Sequence, residues 1–273
     1  MAGCRRTHRW RLLRSGKLSG AMNMAIDEAL LESVAEGDAA PALRLYGWQP
    51  TALTLGYGQS VSDDVDLDAC NKAGVDVVRR STGGRSVLHA DELTYAVVAR
   101  TDASPFNGTV LDCYRAIAEV LKKALQQLGV DASLVPGKHV TGQGRSARAL
   151  CFSVPSQYEL VASGRKLIGS AQKRRGQAFL QHGSIPLTLD LSLLTKLLKV
   201  DSAATDQLAK VGWLSALAPR PLTLLDLEES LLKAFAENLG VDWQQSVLSP
   251  GEQEMAQRLN DDQFNCDSWT LKR

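Results

Sequence analysis

Arg79–Tyr95 reads RRSTGGRSVLHADELTY, a pair of glycines set among three arginines and followed by a lone histidine. Its flanks decide how it is read. Upstream, GVDVV (74–78) is β-branched and alternating, and downstream, LTYAVVA (93–99) is rich in strand formers. Ser81 to Gly84 is therefore either the turn of a hairpin or a connection between strands. A second reading is compatible with the first. Gly83 and Gly84 would let the backbone approach a ligand closely, with Arg80 and Arg85 near its polar end.

Moving outward, DLDACNKAG (66–74) has the form of a short helix closed by Gly74, and PALRLYGWQPTALTLGYGQS (41–60) that of two short strands joined at Gln49-Pro50. AMNMAIDEALLESVAEG (21–37) places Met22, Ile26, Ala29, Leu30 and Val34 at helical spacing, with Gly37 as a stop. In TVLDCYRAIAEVLKKALQQLG (109–129), Val110, Tyr114, Ile117, Val120, Leu121, Ala124, Leu125 and Leu128 form one apolar face expected to pack on a sheet. β-type stretches return between Val140 and Leu189: ALCFSV, YELVASG, RKLIGSAQKRR and GQAFLQHGSIPLTLD. Beyond Asp190 the pattern is helical, in LSLLTKLLKV, LTLLDLEESLLKAFAENLG and GEQEMAQRLN, with a proline-marked break at LAPRPL. Strands interrupted by a few long helices, without regular βαβ alternation, predict an α+β fold with a mixed or antiparallel sheet.

The chain has 273 residues, 44% of them apolar and 22% charged, with a formal net charge of +1. That balance argues against wholesale nucleic-acid binding and makes any electrostatic recognition local. Five scattered cysteines, Cys4, Cys70, Cys113, Cys151 and Cys266, show no CxxC pair and no zinc-finger spacing, so a reducing cytoplasm and no metal site are expected. No membrane insertion is expected either, because the longest uncharged run, Leu45 to Ser62, carries Pro50 and several glycines.

Chemistry has few candidates. Cys151 sits in an apolar run, where a cysteine is ordinarily a small buried hydrophobe, and Lys166 follows a Gly164 turn, where a lysine is ordinarily solvated. His89 and His182 are readable as core histidines holding backbone carbonyls. The neighbourhood of Cys151 is more informative. Between Lys138 and Arg175 stand Lys138, Arg145, Arg148, Arg165, Lys166, Lys173, Arg174 and Arg175 against the single acid Glu159. Such a field favours a thiolate and attracts an acidic partner. A solvated basic face is the plain alternative.

NMAIDEALL, LRLYGWQPTALTLGYGQ, RRSTGGRSVLHADELTY, CFSVPSQYELVASGRKLIGSAQKRR and LQHGSIPLTLD stand in the order and approximate spacing of the lipoate/biotin protein ligase superfamily, covering about Ala21 to Asp190. The RRxTGGxxVLH and GRKxxGSAQ segments resemble its lipoyl-pathway members, most closely the octanoyltransferase branch. The resemblance implies a ligase-like catalytic domain over 21–218, a mixed sheet flanked by helices, followed by a short helical extension over 219–273. It also implies a reaction: octanoyl moves from octanoyl-acyl carrier protein to a lysine of the glycine-cleavage H protein or another lipoyl domain, without a cofactor. Cys151 matches the acyl-accepting cysteine, and Lys166 the lysine that lowers the thiol pKa and polarises the carbonyl. Arg80, Gly83, Gly84, Arg85, His89, Gly169 and His182 are the substrate-binding positions implied by the matching segments. Three alternatives fit the same motifs: an ATP-dependent lipoate ligase, an amidotransferase from H protein to E2 subunits, and a non-catalytic lipoyl-domain binding protein.

Overall fold

The structure is a computed structural model and describes residues 8–135, 158–199, 208 and 210–273. Cys4, Cys151 and the expected ALCFSV strand lie outside the described residues.

Strand β1 (His8–Leu18) leads into helix α1 (Gly20–Glu36). Ser19 caps that helix by accepting from the Met22 N–H, and Gly37 closes it in the left-handed region at φ 87°. Then follow β2 (Ala42–Trp48), β3 (Ala52–Leu55), a single turn α2 (Val61–Asp64), α3 (Leu67–Lys72), β4 (Asp76–Arg79), β5 (Val87–His89) and β6 (Glu92–Arg100). Helix α4 (Val110–Gln127) has a reciprocal cap between Thr109 and Asp112. Next come β7 (Ser133–Val135), β8 (Glu159–Ala162), β9 (Arg165–Arg175), β10 (Ala178–Pro186), α5 (Leu191–Leu197), α6 (Leu214–Leu217), α7 (Leu224–Leu239), β11 (Val241–Ser246), α8 (Pro250–Leu259) and α9 (Asp267–Thr270).

Among the described residues, one sheet runs in the order β11-β1-β2-β6-β10-β9-β8-β7 and a second in the order β4-β3-β5. The large sheet is mixed: β1 pairs parallel with β2 and β11, while β6, β10 and β9 pair antiparallel. Strand β6 shows why it sits in the middle. Leu93, Tyr95, Val97 and Ala99 enter one core with α4 and α7, and Ala96 and Val98 enter the other with α1 and α8. A strand covered on both faces reads as the nearly continuous apolar run observed in LTYAVVA.

One reading left open is decided and two expectations change. The Ser81–Gly84 stretch is a connection and not a hairpin turn, because β4 and β5 do not pair with each other; both flank β3. On α4, Val110 is exposed and Tyr114 only half-buried, so the apolar stripe begins at Cys113 and Ile117. Residues 219–273 do not form helices alone. β11 lies beside β1 at the sheet edge, Phe235 of α7 and Trp243 of β11 pack around Trp10, and α8 covers α1.

Candidate functional site

Two sheets and one helix converge on the site. The face of the large sheet that carries Arg44 and Tyr46 (β2), Thr94 (β6), His182 and Ser184 (β10) and Gly169 and Ala171 (β9) meets Thr54 of β3 and Val87 and His89 of β5, with Met24 of α1 at one side. Between them lies a cavity with about 340 Å³ of free space, mouth included. Antiparallel register sets Ser184 opposite both Thr94 and Gly169, so three strands contribute adjacent positions to its wall.

The polar atoms around this cavity are tied to one another. His182 Nδ1 lies 2.8 Å from Asp27 Oδ2 and its Nε2 lies 2.8 Å from Thr82 Oγ1. Asp27 also accepts from Arg44 at 2.7 Å and from the Tyr46 hydroxyl at 2.8 Å. A parallel arrangement serves the other histidine: His89 Nδ1 is 2.8 Å from Glu92 Oε1, and Nε2 is 2.8 Å from Thr54 Oγ1. The Trp48 ring stacks on His89 with centroids 4.0 Å apart, and its Nε1–H donates to Thr94 Oγ1 at 2.7 Å. The histidines thus hold carboxylates and threonine hydroxyls, not the backbone carbonyls expected from sequence. With its polar groups already paired, such a cavity offers a ligand mainly carbon surface.

Electrostatics favour ionised Asp27 and Glu92 carboxylates and a neutral His89. Burial alone would raise the pKa of Asp27, but the Arg44 guanidinium and the contacts with His182 overturn that and hold it below the usual carboxylate value. Burial acts the same way on Glu92 and is likewise overturned, by His89, Ser184 and Thr94. Burial lowers the pKa of His89 against the pull of Glu92, so the imidazole is neutral at pH 7. All three depressed values give stability that is complete above the unfolded pKa and is lost as pH falls through the folded one. For His89 that loss starts below its ordinary value of 6.5. The thermal unfolding midpoint is therefore expected to drop between pH 7 and pH 5 and again on further acidification; a midpoint flat across that range would contradict a neutral buried His89.

The expected binding residues divide into two groups. Arg80, His89, Gly169 and His182 line the cavity; Arg85 does not, and its guanidinium lies 3.9 Å from Asp64. Arg80 is turned to the protein itself, donating to Thr54 O at 3.0 Å, Gly83 O at 3.1 Å and Arg85 O at 2.9 Å, so it shapes the glycine connection as well as lining the cavity. Gly84 has φ +97° and packs against Gly56, where an added Cβ would sit 1.9 Å from the Gly84 carbonyl oxygen. At Gly83 an added Cβ would meet nothing within 4 Å. Lys166 is buried on β9, and its Nζ donates to Glu159 Oε1 at 2.7 Å. Its backbone is fixed on one side by Val161 of β8 and on the other by Val211. Lys166 does not line the cavity, although Gly169 on the same strand does.

Among the described residues the basic run is also less positive than its sequence, and its Lys138, Arg145 and Arg148 lie outside them. Lys173 pairs with Glu28 and Arg175 with Glu32, both from α1, while Arg174 donates to Gly108 O. Counting charges along the chain could not bring in acids some 145 residues away. Asp27, Arg44 and Glu92 were missed altogether: a carboxylate and an arginine in a helix or strand are ordinarily surface groups, and here α1 and the central strands are buried nearly all round. Among the described residues no group of His, Cys, Asp and Glu is arranged to hold a metal ion, and no helix is long and apolar enough to cross a membrane.

A family model described as the lipoyl protein ligase A/B catalytic domain matches residues 19–236. A protein of Carboxydothermus hydrogenoformans named octanoyltransferase LipM is 39% identical over 269 residues, which cover 96% of this chain and 98% of that protein. A protein of the same name from Kyrpidia tusciae is 40% identical over 272 residues, covering 97% and 99%. Among solved structures, lipoate-protein ligase A bound with ATP superposes with a TM-score of 0.80 at 26% identity, covering 97% of this chain and 99% of that one. Protein Ta0514 of T. acidophilum with bound lipoic acid does so with a TM-score of 0.79 at 25% identity, covering 98% and 100%.

Proposed function

This chain belongs to the lipoyl protein ligase A/B catalytic family and is an octanoyltransferase, and from that premise we propose that it moves octanoyl from octanoyl-acyl carrier protein to a lysine of a lipoyl-domain protein, the glycine-cleavage H protein, through a thioester on Cys151. Near-full-length identity of 39–40% to octanoyltransferases is the observation that carries this reading. The cavity supports it, since a medium saturated chain needs carbon surface, whose burial is worth about 0.8 kcal/mol per methylene.

In the first step the Cys151 thiolate attacks the donor's thioester carbonyl. A C–S bond to Cys151 forms, the C–S bond to the carrier breaks, and the departing thiolate takes up a proton. In the second step the acceptor's neutral amine attacks the Cys151 thioester; a C–N bond forms, the C–S bond breaks, and the amine's proton passes to the sulfur. Exchange between two thioesters is nearly balanced and amide formation is downhill, so the carrier-borne substrate needs no nucleotide. Lys166 as an ammonium favours the thiolate and can donate to the oxygen on which negative charge gathers. Arg80, His89, Gly169 and His182 would line the acyl group's cavity, with Gly83 and Gly84 shaping the connection beside it. The remaining cations between Lys138 and Arg175 would meet an acidic carrier protein, an attraction that weakens with salt.

The likeness to the ATP-bound ligase favours a second reading, activation of a free acid by ATP. Dependence on ATP separates the two. Within the first reading, Lys166→Ala is expected to lower the transfer rate by about 10²–10⁴-fold. It also leaves the Glu159 carboxylate without this partner, so the unfolding midpoint falls as well; rates are compared well below that midpoint. A rate loss no larger than the loss of folded protein would contradict a chemical role.

A further inference from the structure

Arg79, the first residue of the RRSTGGRSVLH stretch, is fully buried and takes no part in the cavity. Its guanidinium faces carbonyls: Nη1–H donates to Gly56 O at 2.9 Å, Tyr57 O at 3.2 Å and Gln59 O at 2.7 Å, and Nε–H donates to Thr270 O at 3.0 Å. The Arg79 carbonyl in turn accepts from Trp269 Nε1–H at 2.9 Å. The segment around α9 therefore grips both ends of this arginine from some 190 residues away.

The same segment holds the turn between β3 and α2. Val61 N–H donates to Arg273 O at 2.9 Å, and the Lys272 ammonium lies 3.3 Å from the Trp269 ring centroid and 3.9 Å from that of Tyr57. A cation over two aromatic faces is a directional contact, not a loose tail lying on a surface. On its far side the turn grips the glycine connection: Gly56 packs on Gly84, Tyr57 N–H donates to Thr82 O at 2.8 Å, and Gln59 Nε2–H donates to Ser86 Oγ at 2.7 Å. Thr82 then meets His182 on the cavity wall.

We propose that Trp269 and Lys272, acting through Arg79 and the turn at 56–60, are positioning residues that set the glycine connection and thereby the acyl-binding cavity. The inference concerns the octanoyl reading for its kinetic consequence, while its structural part stands without turnover. Trp269→Leu keeps an apolar side chain, smaller than the indole, but loses the bond to the Arg79 carbonyl and the Trp269 ring face offered to Lys272. As a control, Ser230→Ala removes a buried 2.7 Å bond from α7 to Ala124 O, far from the cavity.

The expected result has two parts. Amides in 56–61 and 81–86 exchange hydrogen about tenfold faster in Trp269→Leu than in the wild type, and not in Ser230→Ala. With octanoyl-acyl carrier protein as the donor, KM rises about fivefold in Trp269→Leu while kcat stays within about twofold, and the control leaves both unchanged. Faster exchange confined to 56–61, with 81–86 unchanged, overturns the coupling. Faster exchange at 81–86 with an unchanged KM overturns its role in binding. If Trp269→Leu does not fold, Lys272→Ala is judged by the same readouts, with about twofold effects expected and no effect contradicting the proposal. A wild type that transfers no octanoyl refutes the octanoyl reading, and the exchange experiment then judges the coupling alone.

Discussion

Cys151→Ala is expected to abolish octanoyl transfer, with a rate loss of at least about 10⁴-fold, comparable to removal of a nucleophile from other covalent catalysts. The acceptor amine would then have to attack the carrier's thioester directly. That attack needs two proteins bound at once around one carbonyl, whereas a thioester on the enzyme lets the carrier leave before the acceptor arrives. A small residual rate from binding and orientation alone is compatible with this account. The check is octanoylation of a purified lipoyl domain, followed by mass at saturating donor, with the variant's unfolding midpoint measured in parallel. A rate within tenfold of the wild type would mean that the sulfur is not the acyl carrier.

Asp27→Ala is expected to have the largest effect on stability. Its carboxylate binds Arg44, His182 and the Tyr46 hydroxyl, and both Asp27 and Arg44 are essentially inaccessible. Removing one partner of a buried pair costs about 3–5 kcal/mol, because the other charge stays in place without compensation. For a chain of this size that corresponds to a drop of about 10 °C in the unfolding midpoint. Arg44 keeps bonds to Asn23 O at 3.0 Å, Asn23 Oδ1 at 2.7 Å and Ser15 Oγ at 2.8 Å, which places the cost toward the lower end of that range. Thermal unfolding at pH 7 measures it, with Asp27→Asn expected to lose less because an amide still accepts and donates. Equal, small losses in both variants would contradict an ionised Asp27 at the centre of this network.

Periodicity carried most of the fold. α1, α4 and α7 declare themselves by helical spacing and by caps at Ser19, Thr109 and Thr223. β4 and β6 do so by β-branched residues, and β3 by the apolar ALTL ahead of a glycine-bounded turn. β1 was hidden because the basic residues of HRWRLLRSGKL interrupt the apolar alternation that marks a strand. Trp10 and Leu12 enter the core, while Arg11 and Arg14 are neutralised by Glu252 and Glu228 from the other end of the chain. β11, with VDWQQS, is a polar edge strand whose only strong signal is its pairing with β1. The site was half legible. The glycines and histidines stand in motifs, but the Asp27–Arg44 network and the grip of Trp269 on Arg79 join positions with no sequence relation, so no local pattern announces them.

The measurement closest to the central claim is the intact mass of the purified protein after mixing with octanoyl-acyl carrier protein in the absence of ATP. The wild type is expected to gain one octanoyl group that hydroxylamine removes as it removes a thioester, and Cys151→Ala to gain none. An unmodified wild type that becomes acylated or active only when ATP and free octanoate are supplied would contradict the claim.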